Sequence, residues 1–291
     1  ADVARAAGAS ERGTAMLLDA LVGLRLLTKA GGRYRLTPLS AQYLVRESPD
    51  YLGAMMEDDT LWESWTKLTD AVRTGRPPRR VEQQAEAERF FPILIRSLHV
   101  MNREPARQTA AALGAGTTRH GLRVLDVACG SGVWGLAFLE ADPQARLTLQ
   151  DFPAVLEHTR GYLERAGFLD RCDFLPGDLK RVDFGTDRYD VALLGNIVHS
   201  EGEASSRDLF ARLYRALKPG GAVAVIDMIP NEERTGPPFA LIFALNMLVH
   251  TEAGSTYTLS EYTRWLQGAA FRRVETADIG SHSPLIIGLK E

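Results

Sequence analysis

The chain has 291 residues, of which 45% are hydrophobic and 24% are charged, and its formal net charge is -3. This composition predicts a globular protein with one large domain and a smaller one. The slightly acidic balance offers no broad attraction to nucleic acid or to an anionic membrane surface.

The two cysteines, Cys129 and Cys172, are far apart and form neither a metal-ligand spacing nor a disulfide framework. This usage suits a reducing compartment and predicts no metal site. No apolar run reaches the roughly eighteen residues of a membrane span, and no signal peptide is evident, so we expect a soluble cytoplasmic protein. The chain starts without Met, almost inside a helical pattern, which suggests that native residues precede it.

Residues 1–52 have the pattern of a winged helix: a short helix, a longer helix capped by Ser10, and two short strands joined at Gly31-Gly32. A winged helix suggests DNA binding. The second helix, however, carries acidic Glu11 and Asp19 among apolar residues, a poor surface for phosphates or base edges. Packing or dimerisation is therefore favoured.

Residues 53–106 read as a helical connector, interrupted by a loop at Pro77-Pro78-Arg79-Arg80. Trp65, Met101 and Asn102 are candidates for lining a substrate pocket. Aromatic and Met residues at helical spacing also occur in ordinary cores, so both interpretations stay open.

From residue 107 to 291, short apolar runs alternate with amphipathic helices. The predicted strands are 122–128, 146–151, 172–178, 189–197 and 221–228, and helices are predicted over 133–141, 153–166 and 203–217. The alternation predicts a doubly wound α/β fold, with helices on both faces of a parallel sheet. One more helix and two strand-like runs, forming a hairpin, follow at the C-terminus.

A glycine-rich turn, "DVACGSG", follows the first of these strands. Ligands of open α/β sheets bind beyond the carboxyl ends of the strands, and Gly130 and Gly132 let the backbone approach one closely. A phosphate-binding P-loop is excluded because the required Lys is absent. The run "GSGVWG" does fit the dinucleotide fingerprint, so an NAD-dependent dehydrogenase remains an alternative.

Two acids close the following strands. Asp151 can accept hydrogen bonds from ribose hydroxyls, as in a dehydrogenase, whereas Asp178 can reach an adenine amino group and argues against a dehydrogenase. Each acid alone could equally be a helix cap or a turn residue.

The chain resembles the S-adenosylmethionine (SAM)-dependent O-methyltransferases of the caffeate and hydroxyindole type. The motifs that carry the resemblance are, in this order, "VLDVACGSG", "LQDFPAVLE", "FLPGDL", "LLGNIVHSEGE" and "ALKPGGAVAVIDMIP". The resemblance covers nearly the whole chain. It implies a Rossmann-like class I methyltransferase sheet, an N-terminal winged-helix domain that forms a homodimer, SAM as cofactor and S-adenosylhomocysteine (SAH) as product.

The resemblance also assigns residues. Those implied to bind the cofactor are Asp126, Ala128, Gly130, Gly132, Asp151, Phe152, Asp178, Leu179 and Asn196. His199 matches the general base and Asp227 the carboxylate that orients it. The acceptor pocket would be lined by Trp65, Met101, Asn102, Phe243, Asn246, Met247 and His250.

These residue types suit methyl transfer, an in-line displacement that depends chiefly on positioning and on removal of the acceptor proton. A phenol has a pKa near 10 and an imidazole one of about 6.5, so a histidine in hydrogen-bond reach can deprotonate the attacking hydroxyl. We therefore expect methylation of a hydroxyl on an aromatic or polyketide-like small molecule.

Several positions depart from the family pattern. Gly195 stands where a lysine is frequent, Ser200 follows the histidine, and Thr256 stands in place of a second supporting glutamate. His199 could then merely cap a strand end. Methylation of carbon or nitrogen, or SAM binding without methyl transfer, are further alternatives.

Overall fold

The computed structural model describes residues 1–53, 60–78 and 84–291, with only the backbone described for residues 60 and 84–93. The chain divides into two compact units, Ala1–Asp58 and Asp59–Glu291. The three-part division at 52 and 106 that the sequence suggests stays a prediction.

The first unit contains the predicted helices and hairpin. Its elements are α1 (Asp2–Ala6), α2 (Glu11–Gly23), β1 (Leu27–Ala30), β2 (Arg33–Leu36) and α3 (Pro38–Tyr43). Ser10 caps α2 by accepting the N–H of Gly13 at 3.0 Å. Gly31 and Gly32 both have positive φ, as a two-residue turn between antiparallel strands requires. The expected winged-helix outline is therefore present.

Apolar side chains of α2 are unusually exposed. Met16 is 60% exposed, Leu17 61% and Leu24, which follows the helix, 68%, and α2 has no buried residue. An amphipathic helix normally covers such side chains with a partner.

The second unit begins with helices α4 (Thr60–Trp65), α5 (Leu68–Thr74) and α6 (Gln84–Ala112). Pro77 and Pro78 lie in the predicted loop after α5, whereas Arg79 and Arg80 lie outside the described residues. Four residues of α6 reach the candidate site below.

A seven-stranded sheet organises the rest of this unit. Its strands are β3 (Arg123–Val127), β4 (Arg146–Asp151), β5 (Cys172–Pro176), β6 (Tyr189–Gly195), β7 (Leu217–Ile226), β8 (Arg273–Ala277) and β9 (Leu285–Leu289). They are ordered β5-β4-β3-β6-β7-β9-β8. The first five are parallel, and β9 pairs antiparallel with both β7 and β8. The doubly wound α/β class and the C-terminal hairpin are confirmed.

Helices cover both faces of the sheet. They are α7 (Val133–Ala141), α8 (Pro153–Ala166), α9 (Glu203–Ala216) and α11 (Leu259–Gly268), whereas α10 (Pro238–His250) packs against α4 and α5. Side chains alternate along β3, so that Val124 belongs to one apolar cluster while Leu125 and Val127 belong to the other. Burial on both faces explains the nearly continuous apolar runs in the sequence.

Among the described helices, none combines the length and apolar character needed to cross a membrane. The cytoplasmic location expected from composition stays a prediction.

Candidate active site

The strand order reverses between β3 and β6, since β4 and β5 extend to one side of β3 and β6 starts the other. A cavity of about 790 Å³, including its mouth, lies there. It is lined by Leu94, Ile95, Leu98, Asn102, Ala128, Cys129, Gly130, Ser131, Val133, Trp134, Gln150, Asp151, Phe152, Val155, Gly177, Leu179, Gly195, Asn196 and Ile197. The wall thus consists of four strand ends covered by α6, at the position expected for a ligand of this fold.

The glycine turn after β3 is held in a left-handed conformation. Ala128, Gly130 and Gly132 have φ of 51°, 55° and 74°. A Cβ on Gly130 would meet only Ile95 Cγ1, at 3.7 Å, whereas one on Gly132 would lie 2.9 Å from Leu149 Cδ2. Gly132 is therefore needed for packing, while Gly130 leaves open space at the cavity wall for a ligand.

Asp151 lines the cavity at the end of β4. Its two oxygens accept the N–H groups of Gly130 at 2.9 Å and Phe152 at 2.8 Å. Burial raises the pKa of this carboxyl to about 6. Each oxygen keeps a further lone pair, so the ionised group can accept ribose hydroxyls, as the sequence predicts.

Gln150 is a cavity residue that the sequence analysis missed. Its amide nitrogen donates to the carbonyl of Gly177 at 2.6 Å, and its amide oxygen accepts the N–H of Ala128 at 3.3 Å. One buried side chain thereby joins the turns after β3 and β5. Its position just before Asp151 is the only sequence signal.

Asp126, which the resemblance implies to bind the cofactor, makes a contact within the fold. It is fully buried, is absent from the cavity wall, and accepts the N–H of Gly135 at 2.9 Å. Burial raises the pKa of this carboxyl to about 8. Asp126 thus ties β3 to α7, its second carboxylate oxygen has no partner among the described residues, and its contact with the cofactor stays a prediction.

The third turn brings Gly177 and Leu179 to the cavity. Between them, Asp178 accepts the N–H of Lys180 at 2.9 Å, which is the alternative role as a turn residue. Its contact with adenine stays a prediction. Asn196 lines the cavity at the end of β6 with a positive φ of 59°.

His199 and Asp227 form a buried pair after β6 and β7. His199 Nδ1 lies 2.5 Å from Asp227 Oδ1. The carboxylate also accepts the backbone N–H groups of His199 and Met228 and, at 2.9 Å, the hydroxyl of Tyr262. Asp227 therefore fixes both the ring and the backbone N–H of His199, which is more than a strand cap requires.

Tyr262, on α11, is the second residue that the sequence analysis missed. Burial and the charge of Asp227 hold the pKa of its phenol well above the usual value, so it remains a hydrogen-bond donor. Asp227 therefore accepts hydrogen bonds from the Tyr262 hydroxyl and from two backbone N–H groups. Because a carboxylate only accepts, its fourth contact, with His199 Nδ1, requires a proton on Nδ1. The other ring nitrogen, Nε2, is then free to accept a proton.

Helix α10 contributes the predicted acceptor residues. The Phe243 ring packs edge-on against His199 at 4.8 Å, and Asn246 accepts the indole N–H of Trp65 at 3.1 Å. Met247 is buried. His250 Nδ1 donates to the carbonyl of Asn246, and its buried Nε2 has no partner among the described residues.

The structure does not bring all predicted pocket residues together. Asn102 lines the cavity, but Met101, its neighbour on α6, is 48% exposed and lies outside the wall. Consecutive residues of α6 can both line the wall, as Leu94 and Ile95 do, so helix geometry does not exclude Met101. As an acceptor-pocket residue, Met101 stays a prediction.

Ser200 and Thr256, two positions that depart from the family pattern, differ in their hydrogen bonding. The Ser200 hydroxyl donates to the carbonyl of Ile197, and Glu201 pairs with Lys180 at 3.2 Å. Thr256 is fully buried, and no described residue partners its hydroxyl. Tyr262 supplies Asp227 with a side-chain partner from another element.

The cavity suits a nucleoside joined to an amino acid. Asp151 offers acceptor oxygens for a ribose, Phe152 and Leu179 offer apolar surface for a base, and Gly130 leaves room where a Cβ would stand. These features fit SAM. They are shared in part by dinucleotide sites, so geometry alone leaves the two cofactors open.

The sequence matches the O-methyltransferase domain over residues 65–272. The chain belongs to the O-methyltransferase family. Residues 1–46 match the O-methyltransferase dimerisation domain. These matches confirm the resemblance and decide for SAM and against NAD, so the protein is a SAM-dependent O-methyltransferase.

Relatives agree with this assignment. The tetracenomycin polyketide synthesis 8-O-methyl transferase of Streptomyces glaucescens is 33% identical, over 98% of this chain and 84% of its own. The 3-hydroxy-5-methyl-1-naphthoate 3-O-methyltransferase of Streptomyces sahachiroi is 31% identical, over 96% of this chain and 81% of its own. The crystal structure of human N-acetylserotonin methyltransferase with SAM is 28% identical, with a TM-score of 0.84 over 99% of this chain and 86% of that one.

Proposed function

We propose that the enzyme methylates a phenolic hydroxyl of an aromatic or polyketide-like small molecule, with His199 as the general base. The observation that carries this proposal is the buried His199–Asp227 pair, in which Asp227 receives three further hydrogen bonds. Two relatives whose names specify an aromatic or polyketide acceptor support the acceptor class.

The protein's part in the reaction is positioning and proton transfer. Bound SAM supplies a methyl group on a positively charged sulfur. Gly130, Asp151 and Phe152, which line the cavity, would hold the cofactor, and residues of α10 such as Phe243, which packs against His199, would place the acceptor. Alignment of the acceptor oxygen with the methyl carbon is the larger part of catalysis in such a displacement.

His199 removes the acceptor proton. In the proposed step the hydroxyl proton of the acceptor passes to His199 Nε2 as the acceptor oxygen receives the methyl group that SAM would supply. The resulting imidazolium is stabilised by Asp227, 2.5 Å from the other ring nitrogen. The products are the methyl ether and SAH, and the proton then leaves to solvent.

We also propose that the enzyme is a homodimer. The match of residues 1–46 to a dimerisation domain supports this, as do the exposed side chains of Met16, Leu17 and Leu24.

The test is mass spectrometry of products after incubation with SAM and a panel of phenolic and polyketide acceptors, each paired with its analogue lacking the hydroxyl. We expect a gain of one methyl group only on hydroxylated members, located on oxygen by NMR. Methylation of the analogues, or of carbon, would refute the proposed acceptor chemistry.

A further inference from the structure

The indole of Trp134 occupies the space beside Gly195, the position at which the family resemblance has a lysine. Trp134 lies in the first turn of α7 and Gly195 ends β6. A Cβ on Gly195 would lie 2.2 Å from Trp134 Nε1 and 2.3 Å from its Cδ1. No side chain fits at residue 195 while the indole of Trp134 occupies this space. The tryptophan at residue 134 therefore requires the glycine that replaces the family's lysine at residue 195.

The indole of Trp134 forms part of the wall of the cofactor cavity. Trp134 and Gly195 both line the cavity, and Trp134 is only 3% exposed. Its N–H makes no hydrogen bond to another described residue. This nitrogen is not among the described buried atoms that lack a partner, so it keeps accessible surface, and an acceptor on a bound ligand can reach it.

The strand order indicates which part of SAM reaches Trp134. The ribose acceptor Asp151 ends β4, and Leu179 follows β5, so the nucleoside lies on that side of β3. His199, which must face the methyl group, follows β6 on the other side. The amino-acid part then extends over the ends of β3 and β6, where Trp134 and Gly195 lie.

We propose that the indole N–H of Trp134 donates a hydrogen bond to the carboxylate of the methionine part of SAM. The ammonium group of that part has only donors, so the carboxylate is the partner that an N–H requires. The uncharged indole N–H of Trp134 thereby occupies the part of the cavity wall where the family pattern has a charged lysine. This inference rests on the proposed function, because it takes the cavity as the SAM site.

Calorimetry with two ligands tests the proposal without turnover. SAH carries the amino acid, whereas 5′-methylthioadenosine has the same nucleoside and sulfur but lacks it. Trp134→Phe should weaken SAH binding about tenfold, the loss expected for one hydrogen bond to a charged group, and leave methylthioadenosine binding unchanged. Equal SAH affinity, or an equal loss for both ligands, would overturn the proposal.

Two further variants guard against a general packing effect. Replacing Trp134 by benzothienylalanine exchanges the N–H for sulfur at nearly constant shape and should reproduce the selective loss. Trp265→Phe removes another buried indole N–H, one that donates to Glu203, and should affect neither ligand. If the unaltered protein binds neither SAH nor methylthioadenosine, the proposed SAM site itself fails, a result distinct from loss of selectivity.

Discussion

The carboxylate of Asp227 determines what His199 can do. It receives four hydrogen bonds, and the one from His199 Nδ1 fixes the ring so that Nε2 is the basic atom. Fixing the ring requires little reorganisation energy during turnover, because the donors to Asp227 are in place before the acceptor binds.

Tyr262 is expected to be a positioning residue. Tyr262→Phe removes one of four donors to Asp227, so we predict that kcat falls by less than about tenfold, the effect of one hydrogen bond near 1 kcal/mol. The Kd for SAH should stay the same, because Tyr262 is not in the cavity wall. Steady-state kinetics and calorimetry separate the two quantities, and an unchanged kcat would contradict the role.

Asp151 should make cofactor binding depend on pH. Burial places its pKa at about 6, above the ordinary 3.8, and donors on the ribose favour the ionised form. SAH affinity should therefore be full only well above pH 6, fall to about half at pH 6 and be about tenfold lower at pH 5. Calorimetry between pH 5 and 7 measures this; Asp151→Asn should remove the dependence, and a flat profile in the unaltered protein would contradict it.

The sequence predicts only part of the site at this scale. His199, Asp227 and Asp151 follow strands and carry family motifs, so their positions could be anticipated. Tyr262 and Gln150 could not, because Tyr262 lies 35 residues from Asp227 and Gln150 bonds to a residue 27 positions away. The bond of Asp126 to Gly135 could not be predicted either, because a motif match does not show whether a side chain faces the ligand or the helix behind the turn.

Among the elements, the glycine turn between β3 and α7 offers a controlled comparison. Gly130→Ala and Gly167→Ala each place a Cβ at positive φ, 55° and 77°, at a cost of about 1–2 kcal/mol in stability. Only Gly130 faces the cavity; Gly167 caps α8 with nothing near its Cβ. SAH affinity should therefore fall at least about tenfold in Gly130→Ala alone. Equal affinities in calorimetry, with matched losses in Tm, would show that the turn does not approach the ligand.

Element boundaries followed from the alternation of apolar runs and amphipathic helices. The predicted helices 133–141 and 153–166 agree with α7 and α8, and the β4 prediction is also correct. β7 begins at Leu217, four residues before the prediction, because Leu217 pairs with Tyr189 across an irregularity. The insertion of β9 between β7 and β8 was not predictable, since local patterns do not encode which strands pair across the sheet.

For the whole molecule, the exposed apolar side chains of α2 predict a homodimer. Light scattering after gel filtration should give the mass of two chains, and Met16→Glu with Leu17→Glu should give one, because two charges replace apolar contacts. Leu169→Glu, which changes an exposed leucine of the other unit, is the matched control and should stay dimeric. A single-chain mass for the unaltered protein would refute the homodimer.

The most direct test of the account is single-turnover methyl transfer by His199→Asn. Asparagine keeps a donor for Asp227 but removes the basic Nε2, so the transfer rate should fall at least about 100-fold while SAH affinity stays the same. His158→Asn, at an exposed position on α8, should change neither quantity. Transfer by His199→Asn at the unaltered rate would contradict the central claim that His199 is the base.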